Sequence, residues 1–304
     1  MDQSNALVGK IAVVAGATRG AGRGIACMLG EAGAKVYCTG RSRRGKVARD
    51  QSGDEAFTLK YRPETIDETA ELVGSYGGQG IAVGVDHTIP EQVRSLFERV
   101  RADQGRLDIL VNDVWGGDEL SEWGKPFWEL SLKKGLLMQQ RAVHSHIITS
   151  RYAAPLMIET GAGLIVEITD GDTDNYRGNL FYDLAKASAI RLAYAMAEDL
   201  RPHNVTALAL TPGFLRSEAM LDHFGVTEEN WREATKIDPH FIASETPFYV
   251  GRAVAALASD SRVSQKSGRA FSSWALMREY GFTDMDGRQP DWGRYFEENV
   301  RGKV

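Results

Sequence analysis

Tyr182 and Lys186 stand four residues apart in "ITDGDTDNYRGNLFYDLAK", residues 168–186. On a helix that spacing puts both side chains on one face, one turn apart. A free phenol, with a pKa of about 10, holds its proton too tightly to act as a base at neutral pH. An ammonium about 4 Å away, at an effective dielectric of about 20, favours the phenolate by about 4 kcal/mol, or about three pKa units. The pair therefore reads as a phenol tuned for proton transfer. Asp170 and Thr169 lie twelve and thirteen residues before Tyr182. Adjacent strand residues point to opposite faces, so one of the two can reach the reacting oxygen. Thr169 would donate a hydroxyl hydrogen bond. Asp170 as a carboxylate would repel a developing oxyanion, and it could donate only if an apolar setting kept it protonated.

A second stretch that can do chemistry is "VVAGATRGAGRG", residues 13–24, where Gly16, Gly20 and Gly22 sit between an apolar run and an amphipathic one. Glycine allows positive φ and a close approach of backbone to a pyrophosphate. The helix that follows offers free N–H groups and the positive end of its dipole. Dinucleotide binding is the expectation. An NAD site carries an acid at the end of the second strand to hold the ribose 2′-OH. Here that position reads "TGRSRR", with Arg41, Arg43 and Arg44 and no acid, and Arg19 lies in the loop itself. Guanidinium binds a 2′-phosphate bidentately. NADP(H) is favoured over NAD(H), with one of Arg43 and Arg44 expected to be ordinary surface charge.

The elements that must position these groups follow from periodicity. Residues 10–16, 34–40, 80–86, 107–113, 163–169, 204–213 and 268–274 read as seven strands, most of them continuous apolar runs. Such runs suit parallel strands covered on both faces. Between them lie helical patterns, as at 22–32, where Ile25, Met28, Leu29 and Ala32 recur at helical spacing. Thr65 to Glu68 and Thr88 to Glu91 both fit a capping box. The alternation implies right-handed crossovers and an α/β doubly wound parallel sheet of Rossmann type. One domain over 1–304 is expected, with a polar insertion at 42–64 and a C-terminal extension at 275–304. Net charge is −5 and hydrophobic residues make up 43% of the chain, so neither nucleic acid nor a membrane is an expected partner. The start "MDQSNALVGK" has no signal-peptide pattern. Cys27 and Cys38 are too few for a disulfide framework and read as small buried hydrophobes in a cytoplasmic protein.

The glycine loop, Asp86, "LVND" at 110–113, Tyr182-x-x-x-Lys186 and "PGFLRS" at 212–217 occur in order, and together they resemble the short-chain dehydrogenase/reductase family over residues 7–275. The tail "REYGFTDMDGRQP" is similar to that of one branch within it. The resemblance implies that Tyr182 is the acid/base and that Lys186 binds the nicotinamide ribose. Asp86 would bind the adenine edge, and Asn112 would brace the fourth strand. Pro212, Gly213, Leu215 and Ser217 would line the nicotinamide carboxamide. Thr18, Ala21, Ser42, His87 and Val114 complete the cofactor positions that it implies. A homodimer or homotetramer is implied as well.

Two departures from the family pattern stand out. Its helix-borne asparagine would fall near Ala142, with Gln139 and Gln140 as the amides nearby. Its serine is replaced, by Thr169 on the commonest spacing and by Asp170 on the spacing of the resembling branch, and Asp170 is favoured. His144 and His146, at i and i+2, lie on different helical faces and read as packing or surface residues. Asp170, Asp172 and Asp174 begin like a calcium loop, but Asn175 and Phe181 stand where glycine and glutamate belong, so no metal is expected. "NVT" at 204–206 lies in a buried strand and is discounted as a glycosylation site. Trp115, Trp123, Phe127 and Trp128 are placed to form an aromatic wall for a bulky apolar carbonyl or alcohol. Segment 218–247, with Phe224, Trp231 and Phe241, and neighbouring Phe248 read as a lid. The expected activity is NADP(H)-dependent interconversion of carbonyl and alcohol. The alternatives are a nucleotide-binding sensor without turnover and a lyase or dehydratase that uses the cofactor transiently.

Overall fold

The computed structural model describes residues 5–45, 62–173 and 175–301. Most of the polar stretch 42–64, and Asp174, lie outside these residues. In chain order the elements are β1 (Ile11–Ala15), α1 (Gly20–Glu31), β2 (Lys35–Gly40), α2 (Ile66–Ser75), β3 (Gln79–Gly84), α3 (Pro90–Gln104) and β4 (Ile109–Asn112). The second half contains α4 (Leu132–Gln139), α5 (Ser145–Thr160), β5 (Gly163–Ile168), α6 (Leu180–Leu200), β6 (Val205–Thr211), α7 (Glu218–Phe224), α8 (Pro247–Ser259), β7 (Ala270–Ser272), α9 (Ser273–Tyr280) and α10 (Trp292–Asn299).

All seven expected strands form, and they pair in parallel in the order β3-β2-β1-β4-β5-β6-β7. β1, β4 and β6 are buried along their whole length, as a sheet covered on both faces demands. Two apolar clusters carry the fold, one on each face: Ile25, Leu29, Val250 and Val254 on one, Leu96, Val100, Leu156 and Ala197 on the other. The strand order reverses between β1 and β4, and the crevice at their carboxyl ends is where an open α/β sheet takes a ligand.

Thr65 caps α2 by accepting the Glu68 N–H, as the capping box requires. The second box does not form. Thr88 instead donates its N–H and hydroxyl to Asp86 Oδ1 at 2.9 and 2.7 Å, so Ile89 starts α3 without a side-chain cap and Pro90 follows at its first turn. The chain after β7 is integral to the body. Tyr249 donates to the Pro290 carbonyl at 2.9 Å, and Trp292 packs edge-on against Phe214.

Candidate active site

The proton-transfer pair is set by α6. Asn179 caps this helix by accepting the Phe181 and Tyr182 N–H groups at 3.0 and 3.1 Å, and it donates to the Glu122 carbonyl. Ala185, Ala189, Ala193 and Ala197 bury one stripe at four-residue spacing, which lets the helix lie close to the sheet. Tyr182 and Lys186 thereby lie at the carboxyl edge of the sheet, against Asp170 after β5 and Trp115 after β4. Trp115 and Trp123 pack edge-on against the Tyr182 ring, with centroids 5.3 and 5.1 Å away.

The Tyr182 hydroxyl donates to Asp170 Oδ2 at 2.7 Å. Thr169 is buried and donates its hydroxyl back to the Lys186 carbonyl at 2.7 Å. Of the two candidates, then, Asp170 meets the phenol and Thr169 is spent inside the fold. Arg177 holds the Asp170 loop by donating to the carbonyls of Asp170 and Thr173, and it is itself paired with Asp183 at 2.9 Å.

The electrostatics correct the expectation from spacing. Lys186 Nζ lies over the Trp115 ring, 4.0 Å from its centroid, and 5.6 Å from the centroid of the Tyr182 ring. Burial lowers the Lys186 pKa. The Tyr182 pKa is raised, by burial first and then by the Asp170 carboxylate, with Asp118 adding to it. The site thus holds a firmly protonated phenol. The ammonium one turn away sits over ring faces, and a carboxylate occupies the hydroxyl.

The glycine loop has the form a pyrophosphate needs. Gly16 adopts φ +93°, and a Cβ there would come within 2.4 Å of the Asp113 carbonyl. A Cβ at Gly22 would come within 2.4 Å of the Gly16 carbonyl and 2.8 Å of Asp113 Oδ2. These glycines let the first turn of α1 close against the end of β4, leaving backbone donors to face an anion. The residues therefore fit a nicotinamide dinucleotide. Arg41, partly exposed, pairs with Asp86 at a long 3.9 Å. Arg43 and Arg44 are taken by α2, through Asp67 at 2.7 Å and Glu71 at 2.8 Å, so both behave as structural surface charges.

His87, expected among the cofactor positions, turns its side chain inward. Its side chain is buried between Thr39 and Thr149, at 2.8 Å from each, and burial pushes its pKa down to about 3. Asn112 donates to Glu167 and Ser150 at 2.6 and 2.9 Å, a brace across β4 and β5 set by their register. Ser217 caps α7, Leu215 bridges to Glu245, and Gly213 lies beneath Trp292. Thr18 is buried against the position of a Gly40 Cβ, and Val114 accepts from His146.

Of the expected aromatic wall, Trp115 and Trp123 reach the site. Phe127 and Trp128 pack on each other and are 60% and 71% exposed. The lid aromatics Trp231 and Phe241 are buried in a small core of their own with Phe214 and Phe224, and Phe248 packs on Tyr76. Where the family asparagine would stand, α4 passes through a π-helical turn, Gln140–His144, with Ala142 buried. Gln139 donates to the Phe181 carbonyl at 2.7 Å, beside Tyr182. Spacing gave no sign of Asp113, Asp118, Asn179 and Glu218, which reach the site from separate segments.

Buried acids make the fold sensitive to alkali. Burial raises Asp113 to about 7, against the opposing pull of Lys186, and raises Glu245 to about 8. His146 donates from Nδ1 to Glu167 at 2.6 Å and from Nε2 to the Val114 carbonyl at 3.0 Å; burial opposes its charge, but these acceptors outweigh burial and raise its pKa. All three bind a proton more tightly folded than unfolded, so the native state carries more protons from about pH 6.5 to 8 and stability falls as pH rises. His87, depressed to about 3, opposes this only below its ordinary value of 6.5. The melting temperature of the cofactor-free chain should therefore drop between about pH 6.5 and 8, and Glu245→Gln should flatten that slope. A flat or rising profile in the unsubstituted chain would contradict it.

A family model described as Enoyl-(Acyl carrier protein) reductase matches residues 48–266. Dehydrogenase/reductase SDR family member 1 of Homo sapiens is 36% identical over 284 residues, 92% of this chain and 84% of its own length. The 7alpha-hydroxysteroid dehydrogenase of Escherichia coli K12 is 30% identical over 215 residues, 70% of this chain and 74% of its own. Among solved structures, a hydroxysteroid dehydrogenase from Escherichia coli superposes with a TM-score of 0.68 at 24% identity, covering 90% of this chain and 97% of that one. L-sorbose reductase from Gluconobacter frateurii, complexed with NADPH and L-sorbose, superposes with a TM-score of 0.71 at 20% identity over 90% and 97% of the chains. At those identities the structural likeness speaks for the fold.

Proposed function

The chain belongs to the short-chain dehydrogenase/reductase family, and on that premise we propose that it is an NADP(H)-dependent oxidoreductase interconverting a carbonyl and an alcohol, with Tyr182 exchanging the proton. The observation that carries this reading is the Tyr182 hydroxyl, 2.7 Å from Asp170 and one helical turn from Lys186, at the carboxyl edge of the sheet beside the glycine loop. When bound, the nicotinamide dinucleotide supplies or accepts the hydride. Gly16, Gly20 and Gly22 with the start of α1 would hold its pyrophosphate, and Pro212, Gly213, Leu215 and Ser217 would bound the nicotinamide.

The chain's own groups then have separate tasks. Trp115 and Trp123 confine the Tyr182 ring and keep its hydroxyl aimed at one point. In the reductive direction a substrate oxygen takes the hydrogen bond that Asp170 accepts in the free chain. Tyr182 gives up its proton as negative charge grows on that oxygen. Lys186 supplies the compensating positive charge. Because Tyr182 is held protonated, the group needed for reduction is present at neutral pH, whereas the base needed for alcohol oxidation is scarce. The two Trp rings suit a bulky apolar substrate, and the hydroxysteroid-acting relative supports that class. A turnover screen of bulky ketones with NADPH is the test; tight NADPH binding without turnover on any of them would favour the sensor reading.

NADP(H) preference rests on Arg41 and Arg19, since α2 neutralises Arg43 and Arg44. Arg41→Ala should weaken NADPH binding by about tenfold and leave NADH binding unchanged. A wild-type chain that prefers NADH, or a substitution that weakens both equally, would overturn the assignment. A cytoplasmic homodimer or homotetramer belongs to the same proposal, and light scattering of the purified chain reads the oligomer.

A further inference from the structure

The first turn of α1 has no local anion. It contains no acidic residue, and Arg19 at its N-cap makes no side-chain capping bond. Yet the N–H of Gly20, its first residue, donates to Glu218 Oε2 at 2.8 Å, across 198 residues of chain. Glu218 is the first residue of α7, immediately after the capping Ser217. Ser217 Cβ lies 4.0 Å from where a Cβ on Gly20 would be, so the start of α7 stands against the glycine loop. Farther along α7, Asp222 pairs with Arg62 at 2.9 Å. The Glu218 charge is also felt by Arg19, whose pKa is lowered mainly by burial.

A helix N-terminus with free N–H groups is a site for an anion. Here a carboxylate of the same chain already stands in it. We propose that Glu218 is an internal competitor of the dinucleotide's pyrophosphate and sets the affinity for cofactor by holding the Gly20 N–H until the diphosphate displaces it. This rests on the reading that the glycine loop takes a nicotinamide dinucleotide. Two negative groups at one helix terminus repel, so the carboxylate and the diphosphate compete for the turn. Binding exchanges one charged hydrogen bond for another, and the cost of the exchange appears in the dissociation constant.

Titration calorimetry of NADPH into the full chain tests this with Glu218→Gln, which keeps a polar contact without charge, and Glu218→Ala, which removes both. Both should bind NADPH about tenfold more tightly than the unsubstituted chain. Adenosine 2′-monophosphate, which lacks the pyrophosphate, should bind all three alike. In the cofactor-free variants the Gly20 amide should exchange hydrogen faster. Unchanged or weaker NADPH binding in folded variants overturns the proposal, as does an equal gain for adenosine 2′-monophosphate. If no form binds any nicotinamide dinucleotide, the cofactor reading itself fails and takes this proposal with it.

Discussion

Tyr182→Phe should cut turnover by about a thousandfold while NADPH affinity stays within about threefold of the original. Phenylalanine keeps the ring that Trp115 and Trp123 pack against, so the helix and its surroundings have no reason to move. What is lost is the oxygen that donates to Asp170, the only atom removed. Without it no phenolic proton is available to the substrate oxygen. Steady-state kinetics beside calorimetric NADPH titration separate the two quantities. Retention of more than about a tenth of the activity would mean that another group carries the proton.

The second large effect concerns Asp170, and its sign is set by charge. A carboxylate hydrogen-bonded to a phenol favours the protonated phenol, and burial pushes the same way. Asp170→Ser removes the charge and offers a hydroxyl instead. The Tyr182 pKa should fall, and the fraction available as base at pH 8 should rise by about ten- to a hundredfold. Alcohol oxidation at that pH should increase in proportion, while carbonyl reduction is kept or raised because a less tightly held proton transfers more readily. The pH–rate profile for oxidation should move to lower pH in the variant. A large fall in both directions, with folding and NADPH binding intact, would give the Asp170 carboxylate a proton-transfer task of its own.

Local pattern made much of the fold legible. The apolar runs of β1, β4 and β6 are buried on both faces, and continuous hydrophobicity records that directly. The glycine loop and the Tyr182–Lys186 spacing are short-range features, readable because a turn and a helix have fixed periods. Electrostatic sign was not readable in the same way. Spacing put an ammonium near the phenol, but the side chain of Lys186 settles over Trp115, and Asp170 takes the hydroxyl. Likewise Arg43 and Arg44 look like phosphate ligands until α2 brings Asp67 and Glu71 beside them.

By itself the order of residues determined the doubly wound sheet, the loop between β1 and α1, and the single helical face shared by Tyr182 and Lys186. These depend on contacts within a few residues and on apolar periodicity. Only the tertiary structure decided which of Thr169 and Asp170 meets the phenol, that His87 turns inward between Thr39 and Thr149, and that Glu218 reaches Gly20. Those outcomes depend on strand register and on the rotation of packed helices, which join segments far apart in the chain. A charge's effect falls with distance in space, and that distance exists only once the chain has folded.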